Sequence, residues 1–227
     1  MIKAFIFDLD GVLVHTDYFH FLAWKKIAEK LGIPFDEQKN NLLRGVSRRE
    51  SLEIILNEKK DIMLSEDEKN QLLEEKNFYY KNYISQMSET DASVEVTTTL
   101  ENLKKEGFLL AVGSSSKNAQ CILEKTQLRK YFEAVSDGNN ISKSKPDPEV
   151  FVKAAHFLSV KPEECAVVED AVSGINAAIN ANMLGIGIGE AACHKETQIK
   201  IRTIEDLNIV SQVLNIQQSQ LINSVKS

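Results

Sequence analysis

Two carboxylates, Asp8 and Asp10, stand two residues apart at the end of an apolar segment that begins at Ile2. Burying two like charges is costly unless a cation neutralises them. A second acidic pair, Glu169-Asp170, follows the apolar run Cys165-Ala166-Val167-Val168. Between the pairs lies Gly113-Ser114-Ser115-Ser116-Lys117-Asn118, small hydroxyls at the entrance to a helix, where backbone N–H groups and the helix dipole favour an anion. Lys145 follows, in Ser144-Lys145-Pro146-Asp147-Pro148, an extended loop restricted by the next proline. Singly these are ordinary: an Asp-x-Asp is commonly a turn or cap, a serine run a loop, and Glu-Asp after a strand an N-cap. Taken in order, with three of the four directly after predicted strands, they converge on one rim. The chemistry that suits such a rim is phosphoryl transfer. A hard divalent cation such as Mg²⁺ takes oxygen ligands, which Asp8, Asp170 and Glu169 supply. One carboxylate of the first pair then attacks phosphorus and the other moves the proton, while Ser114 and Lys145 neutralise the phosphoryl oxygens.

The elements that must hold these residues are legible in the hydrophobic pattern. Ile2 to Leu9 is apolar with little alternation, as in a strand buried on both faces of a parallel sheet. Similar runs recur at Phe108 to Val112, Cys165 to Val168 and Leu184 to Ile188, separated by helix-like stretches at 97–105, 118–126, 149–158 and 173–182. That alternation reads as an α/β fold with a parallel sheet, which binds ligands beyond the carboxyl ends of its strands.

Residues 16–88 break the alternation and carry no strand pattern. Phe21, Trp24, Ala28 and Leu31 follow helical spacing, Ser47-Arg48-Arg49-Glu50 is a capping box before Leu52, Ile55 and Leu56, and Ser65-Glu66-Asp67-Glu68 is a second box before Leu72, Tyr79, Tyr83 and Met87. The expected organisation is a core of residues 1–15 and 89–227 and an inserted helical cap of residues 16–88. The tail from Ile209 reads as a polar amphipathic helix.

With 227 residues, 43% hydrophobic and 26% charged, the composition is globular and excludes disordered, collagen-like and disulfide-scaffold classes. A net charge of −6 with isolated lysine pairs (Lys25-Lys26, Lys59-Lys60, Lys104-Lys105) argues against a nucleic-acid partner. Three widely spaced cysteines, Cys121, Cys165 and Cys193, support neither a disulfide framework nor a zinc site. No run is long enough to span a bilayer and the N-terminus has no signal pattern, so a cytoplasmic monomer is expected.

At these motifs the sequence resembles the haloacid dehalogenase superfamily of phosphotransferases, whose four motifs match Asp8-Leu9-Asp10-Gly11-Val12, Ser114, Lys145 and Glu169-Asp170. The resemblance covers the whole chain. It implies a Rossmann-like core with an inserted cap, Asp8 as the nucleophile that forms an aspartyl-phosphate and Asp10 as general acid and base. It also implies Mg²⁺ on Asp8, the Asp10 backbone carbonyl, Glu169 and Asp170. Thr16, His20, Trp24, Arg44-Gly45-Val46-Ser47-Arg48, Ser51, Lys76-Asn77 and Ser114-Ser115-Ser116-Lys117-Asn118 resemble the β-phosphoglucomutase-like subfamily at nearly matching spacing. That resemblance adds Thr16 and His20 to the catalytic set with Asp8, Asp10, Ser114 and Lys145. It implies that Arg48, Ser116, Lys117 and Asn118 hold the phosphate that is not being transferred, and that His20 and Lys76 couple cap closure to the general acid. Arg44, Gly45, Val46 and Ser47, with Trp24 and Ser51, would lie against the sugar. The reaction implied is isomerisation of β-D-glucose 1-phosphate to glucose 6-phosphate through β-D-glucose 1,6-bisphosphate.

Two of the residues have independent physical support. Arg48 and Arg49 occupy the first turn of the helix capped by Ser47, where positive charge opposes the macrodipole by a few tenths of a kcal/mol, about what an anion there would reverse. Lys76 is in helical register with Leu72 and Tyr80 and interrupts an apolar stripe; the ordinary alternative is a lysine that snorkels to water. His20 shares a face with Trp24, where a packed histidine is the ordinary alternative. Departures from the subfamily are His15 in place of Asp, Arg44 in place of Lys, and Val94-Glu95 in place of Pro-Gly. None touches the nucleophile, so they bear on the choice of sugar. The same core also makes sugar-phosphate phosphatases, in which water takes the phosphoryl group, and a phosphorylation-receiver domain uses a similar Asp, hydroxyl and Lys set without the inserted helices or the Asp8/Asp10 pair.

Overall fold

The computed structural model describes residues 1–44, 46–59 and 63–226; Gly45 and Lys60, both singled out in the sequence, lie outside the described residues. Six parallel strands form one sheet in the order β3-β2-β1-β4-β5-β6. Their ranges are β1 Ala4–Phe7, β2 Leu109–Gly113, β3 Ala134–Ser136, β4 Cys165–Glu169, β5 Leu184–Gly187 and β6 Ile199–Lys200. The strand β1 is buried on both faces, which explains its unbroken apolar run. Ala4 and Ile6 pack with α7 (Glu149–Phe157) and α8 (Val172–Asn180). Phe5 and Phe7 face the opposite layer, made by α5 (Val94–Lys105), α6 (Ala119–Lys125) and the start of α9 (Leu207–Lys226).

Register is what builds a rim. Phe7 pairs with Val112 of β2 on one side and with Val168 of β4 on the other, so the residues after all three emerge side by side. The chain order reverses at β1, the place where parallel sheets leave a crevice. The Asp8 N–H donates to the Val168 carbonyl (2.9 Å) and the Ser114 N–H to the Ser136 carbonyl (3.0 Å), which fixes both loops at the strand ends. Gly11 follows with φ +87°, and a Cβ there would sit 2.1 Å from an Asp170 oxygen, so only glycine lets the β1 loop pass the second acidic pair.

Between β1 and α5 run four helices: α1 (Asp17–Lys30), α2 (Glu37–Asn41), α3 (Arg48–Leu56) and α4 (Glu66–Ile84). Both capping boxes form. Ser47 accepts from the Glu50 N–H while Glu50 accepts from the Ser47 N–H (2.9 Å), and Ser65 and Glu68 repeat the arrangement at α4. Trp24, Ile27, Leu52, Ile55 and Leu72 share an apolar cluster of their own in α1, α3 and α4. The buried stripe of α4 is Leu72, Lys76, Tyr80 and Ile84, with Tyr79 and Tyr83 half-buried at its side. A charge in the middle of the stripe hides it from a hydrophobicity pattern. Among the described residues no helix is long and apolar enough to cross a membrane, and the three cysteines are free.

Candidate active site

Three carboxylates meet where β1 and β4 end. Asp8, Glu169 and Asp170 are buried and each offers an oxygen within 4.8 Å of the others. Lys145, with no exposed surface, reaches them from a loop far along the chain. Its ammonium donates to Asp8 and, at 2.8 Å, to Glu169. Burial alone would lower the Lys145 pKa, but Asp8 and Glu169 hold it above its ordinary value. Glu169 Oε1 also accepts the N–H groups of Asp170 and Ala171 (3.1 and 3.0 Å). Gly174 leaves room for that carboxylate, since a Cβ would come within 1.9 Å of it.

The cluster has more negative charge than its cations balance. Burial, opposed by Lys145 and reinforced by Glu169 and Asp10, pushes the Asp8 carboxyl up to about 8. Burial with the charges of Glu169 and Asp8 pushes Asp170 up to about 9 against the pull of Arg44. The all-oxygen set formed with Glu169 fits a hard divalent cation, which would restore Asp8 and Asp170 to carboxylates. Asp10, on the same loop, turns to Thr16 instead. Its side chain accepts from the Thr16 hydroxyl, which is fully buried, and burial raises its pKa to about 6.

Opposite the acids the helices supply cations. Lys76 is 2% exposed, so its amino group does not reach water; it bonds His20 Nδ1 at 2.9 Å and lies over the rings of Trp24 and Tyr80. Burial and neighbouring Arg48 bring Lys76 down to about 7, and burial with Lys76 holds the His20 imidazole well below its ordinary value, hence neutral and able to accept. Arg48 donates only to the Leu73 carbonyl (3.5 Å) and is itself depressed by burial. Among the described residues neither Lys76 nor Arg48 has a carboxylate within salt-bridge distance. Arg49, by contrast, is tied to Glu66 and Asn70.

Acids and cations line one cavity of about 1100 Å³. Asp8, Asp10, Glu169, Asp170, Ser114 and Ser115 form its floor, while Ser116, Lys117 and Asn118 come from the start of α6. Its other wall contains His20, Trp24, Arg44, Val46, Ser47, Arg48, Ser51 and Lys76. Thr16 and Lys145 stand behind the lining and donate to Asp10 and Asp8. Arg44 turns to the acids, pairing with Asp17 and, at 2.9 Å, with Asp170, and its carbonyl accepts from Ser173.

Several participants carry no sequence signal of their own. Asp17 reads as an ordinary first-turn acid of α1, and only the fold brings Arg44 to it. Glu50, already engaged in its capping box, also accepts from the Ser144 hydroxyl next to Lys145. Asn77, which the sequence marks together with Lys76, accepts from Asn118 Nδ2 at 3.1 Å. Tyr80 is buried against His20, and its four-residue spacing from Lys76 is the signal that could have found it.

Comparison with known proteins agrees with this geometry. Residues 5–188 match the haloacid dehalogenase-like hydrolase family. The chain is 39% identical over 208 residues to a β-phosphoglucomutase of Bacillus subtilis, covering 91% of this chain and 92% of the relative. It is 32% identical over 223 residues to a phosphorylated carbohydrates phosphatase of Thermotoga maritima, covering 93% and 100%. The crystal structure of β-phosphoglucomutase from Clostridium difficile superposes with a TM-score of 0.88 at 36% identity, covering 98% of this chain and 99% of that one.

Proposed function

The chain belongs to the haloacid dehalogenase-like hydrolase family, and from that premise we propose that it is a magnesium-dependent mutase interconverting β-D-glucose 1-phosphate and glucose 6-phosphate. The observation that carries the reading is the pair of cations, buried Lys76 and half-buried Arg48, facing the cavity with no carboxylate within salt-bridge distance among the described residues. Burial lowers both and Arg48 lowers Lys76 further, so the site is organised for an anion that the protein does not itself provide. A phosphatase needs one phosphate site, at Asp8; a mutase working through a bisphosphate needs two.

In this reading α1 to α4 form a cap over the core, and Asp8, Glu169, Asp170 and the Asp10 backbone carbonyl hold the magnesium ion. The ion supplies charge neutralisation for the transferring phosphoryl group. The steps belong to the chain's own residues. An Asp8 carboxylate oxygen bonds to phosphorus as the bond from phosphorus to the sugar oxygen breaks, and Asp10 delivers a proton to that oxygen. Lys145, held against Asp8, neutralises charge on the transferring group, and Ser114 donates to it. Arg48, with Ser116, Lys117 and Asn118 at the other helix terminus, holds the distal phosphate, and Trp24, Val46, Ser47 and Ser51 contact the sugar. In the reverse half, the free hydroxyl of a sugar monophosphate gives its proton to Asp10 and takes phosphorus from Asp8; the bisphosphate so formed turns end for end before Asp8 takes its other phosphorus. The free cysteines accord with a cytoplasmic setting.

Arg48→Ala tests the second site. Losing one charge-assisted contact to a desolvated phosphate removes about 1.5–3 kcal/mol, a slowing of roughly ten- to a hundredfold. Isomerisation should fall by that factor, while hydrolysis of acetyl phosphate, which has no distal phosphate, changes little. Equal slowing of both would make Arg48 part of the transfer centre and favour the phosphatase reading.

A further inference from the structure

The segment Asp137-Gly138-Asn139 follows β3 and takes no part in the steps described so far. The Asp137 carboxylate is buried, and both its oxygens accept from Asn139: Oδ1 from the backbone N–H at 2.9 Å and Oδ2 from Nδ2 at 3.2 Å. Nδ2 has a second hydrogen, which goes to the Lys117 carbonyl at 2.9 Å. The Gly138 N–H donates to the Ser116 carbonyl (3.2 Å), and a Cβ on Gly138 would come within 2.5 Å of the Ser115 carbonyl oxygen and 2.9 Å of the Lys117 nitrogen. Both are backbone atoms, so the loop itself would have to shift. Three successive carbonyls, Ser115 to Lys117, are thus held against this one segment, while Ser116, Lys117 and Asn118 line the cavity. The division matters electrostatically: a carbonyl dipole turned to an anion repels it, whereas N–H groups, hydroxyls and an ammonium attract it.

We propose that Gly138 and Asn139 are positioning residues for the phosphate that is not being transferred: they hold the carbonyls of residues 115–117 off the anion and so set how Ser116, Lys117 and Asn118 present their donors to it. The role rests on the second phosphate site proposed above. It makes the loop after β3 a determinant of selectivity for donors that keep a second phosphate over donors that have only one.

Asn139 is exposed, so Asn139→Ala removes the donor to Lys117 without opening the core. Gly138→Ala pushes on the loop directly. With magnesium present, single-turnover transfer of phosphorus from β-glucose 1,6-bisphosphate to the protein is followed against donor concentration. The half-saturating concentration should rise about three- to tenfold in Asn139→Ala and by more than about tenfold in Gly138→Ala, at an unchanged limiting rate. Transfer from acetyl phosphate, which has no second phosphate, should keep its wild-type rate and half-saturating concentration. An unchanged half-saturating concentration for the bisphosphate in Asn139→Ala overturns the proposal. So does an equal change with both donors, which would mark the segment as structural support alone. Should Gly138→Ala fail to fold, Asn139→Ala decides. Failure of the mutase reading would appear separately, in wild-type protein, as inorganic phosphate released in place of glucose 6-phosphate.

Discussion

Lys76 gives the sharpest prediction, because a buried ammonium without an acid partner must be felt in the pH dependence of stability. Its pKa is 10.5 in the unfolded chain and about 7 in the folded one. The unfolded state therefore binds more protons between those values, and the lysine's penalty on folding is greatest at and below pH 7 and vanishes above pH 10.5. At about 1.4 kcal/mol per pH unit of separation, the penalty should shrink by about 3 kcal/mol between pH 7 and pH 9.5. Lys76→Met keeps the length and removes the charge. Urea unfolding of both proteins at the two pH values, in metal-free and phosphate-free buffer, singles out this residue and the groups that feel its charge, because titrations uncoupled from Lys76 cancel in the difference. The Met variant should gain about 3 kcal/mol on wild type at pH 7 relative to its standing at pH 9.5. Loss of the bond to His20 shifts both comparisons equally and leaves that difference intact. Inorganic phosphate should favour wild type at pH 7, since an anion beside Lys76 and Arg48 restores the charged form. A difference independent of pH would refute the claim that Lys76 is a desolvated cation waiting for an anion.

Two further outcomes follow from contacts at the acids. Gly174→Ala, ordinarily a stabilising change in a helix by about 1 kcal/mol, should here destabilise by roughly 1–3 kcal/mol, because the new Cβ would lie 1.9 Å from a Glu169 oxygen. It should also abolish the rise in Tm on adding Mg²⁺; a stabilised variant that keeps its response contradicts the placement of Glu169. Arg44 occupies Asp170 at 2.9 Å, so Arg44→Ala should tighten Mg²⁺ binding about fivefold by calorimetric titration, the value of a half-buried pair of about 1 kcal/mol. Weaker binding would mean that Arg44 supports the ion rather than competing with it.

What the sequence conceals here is as physical as what it reveals. The four long apolar runs were legible because a strand buried on both faces needs no partner to show its pattern. The edge strands β3 and β6, three and two residues long, carry too few positions for any period, and their pairing with β2 and β5 defines them. The helix α2 buries nothing and so has no apolar face to read. Within the site, Asp8, Ser114, Glu169 and Asp170 were marked by standing just after strands. The bond from Lys145 to Asp8 spans 137 residues and exists only because the register of β1 and β4 brings both acids to one edge. Asp17, Glu50 and Tyr80 each satisfy an ordinary local rule, as a first-turn acid, a capping glutamate and a stripe aromatic. Their second partners come from the packing of α1, α3 and α4 on the core.

The central claim is that phosphorus leaves one end of a sugar bisphosphate, waits on Asp8 and passes to the opposite end of the next sugar monophosphate. The most direct measurement is the fate of phosphorus by ³¹P NMR when the purified protein, with Mg²⁺, receives β-D-glucose 1-phosphate and a trace of the 1,6-bisphosphate. The account predicts that the signal moves to glucose 6-phosphate, with inorganic phosphate a minor product. Inorganic phosphate as the main product would contradict it.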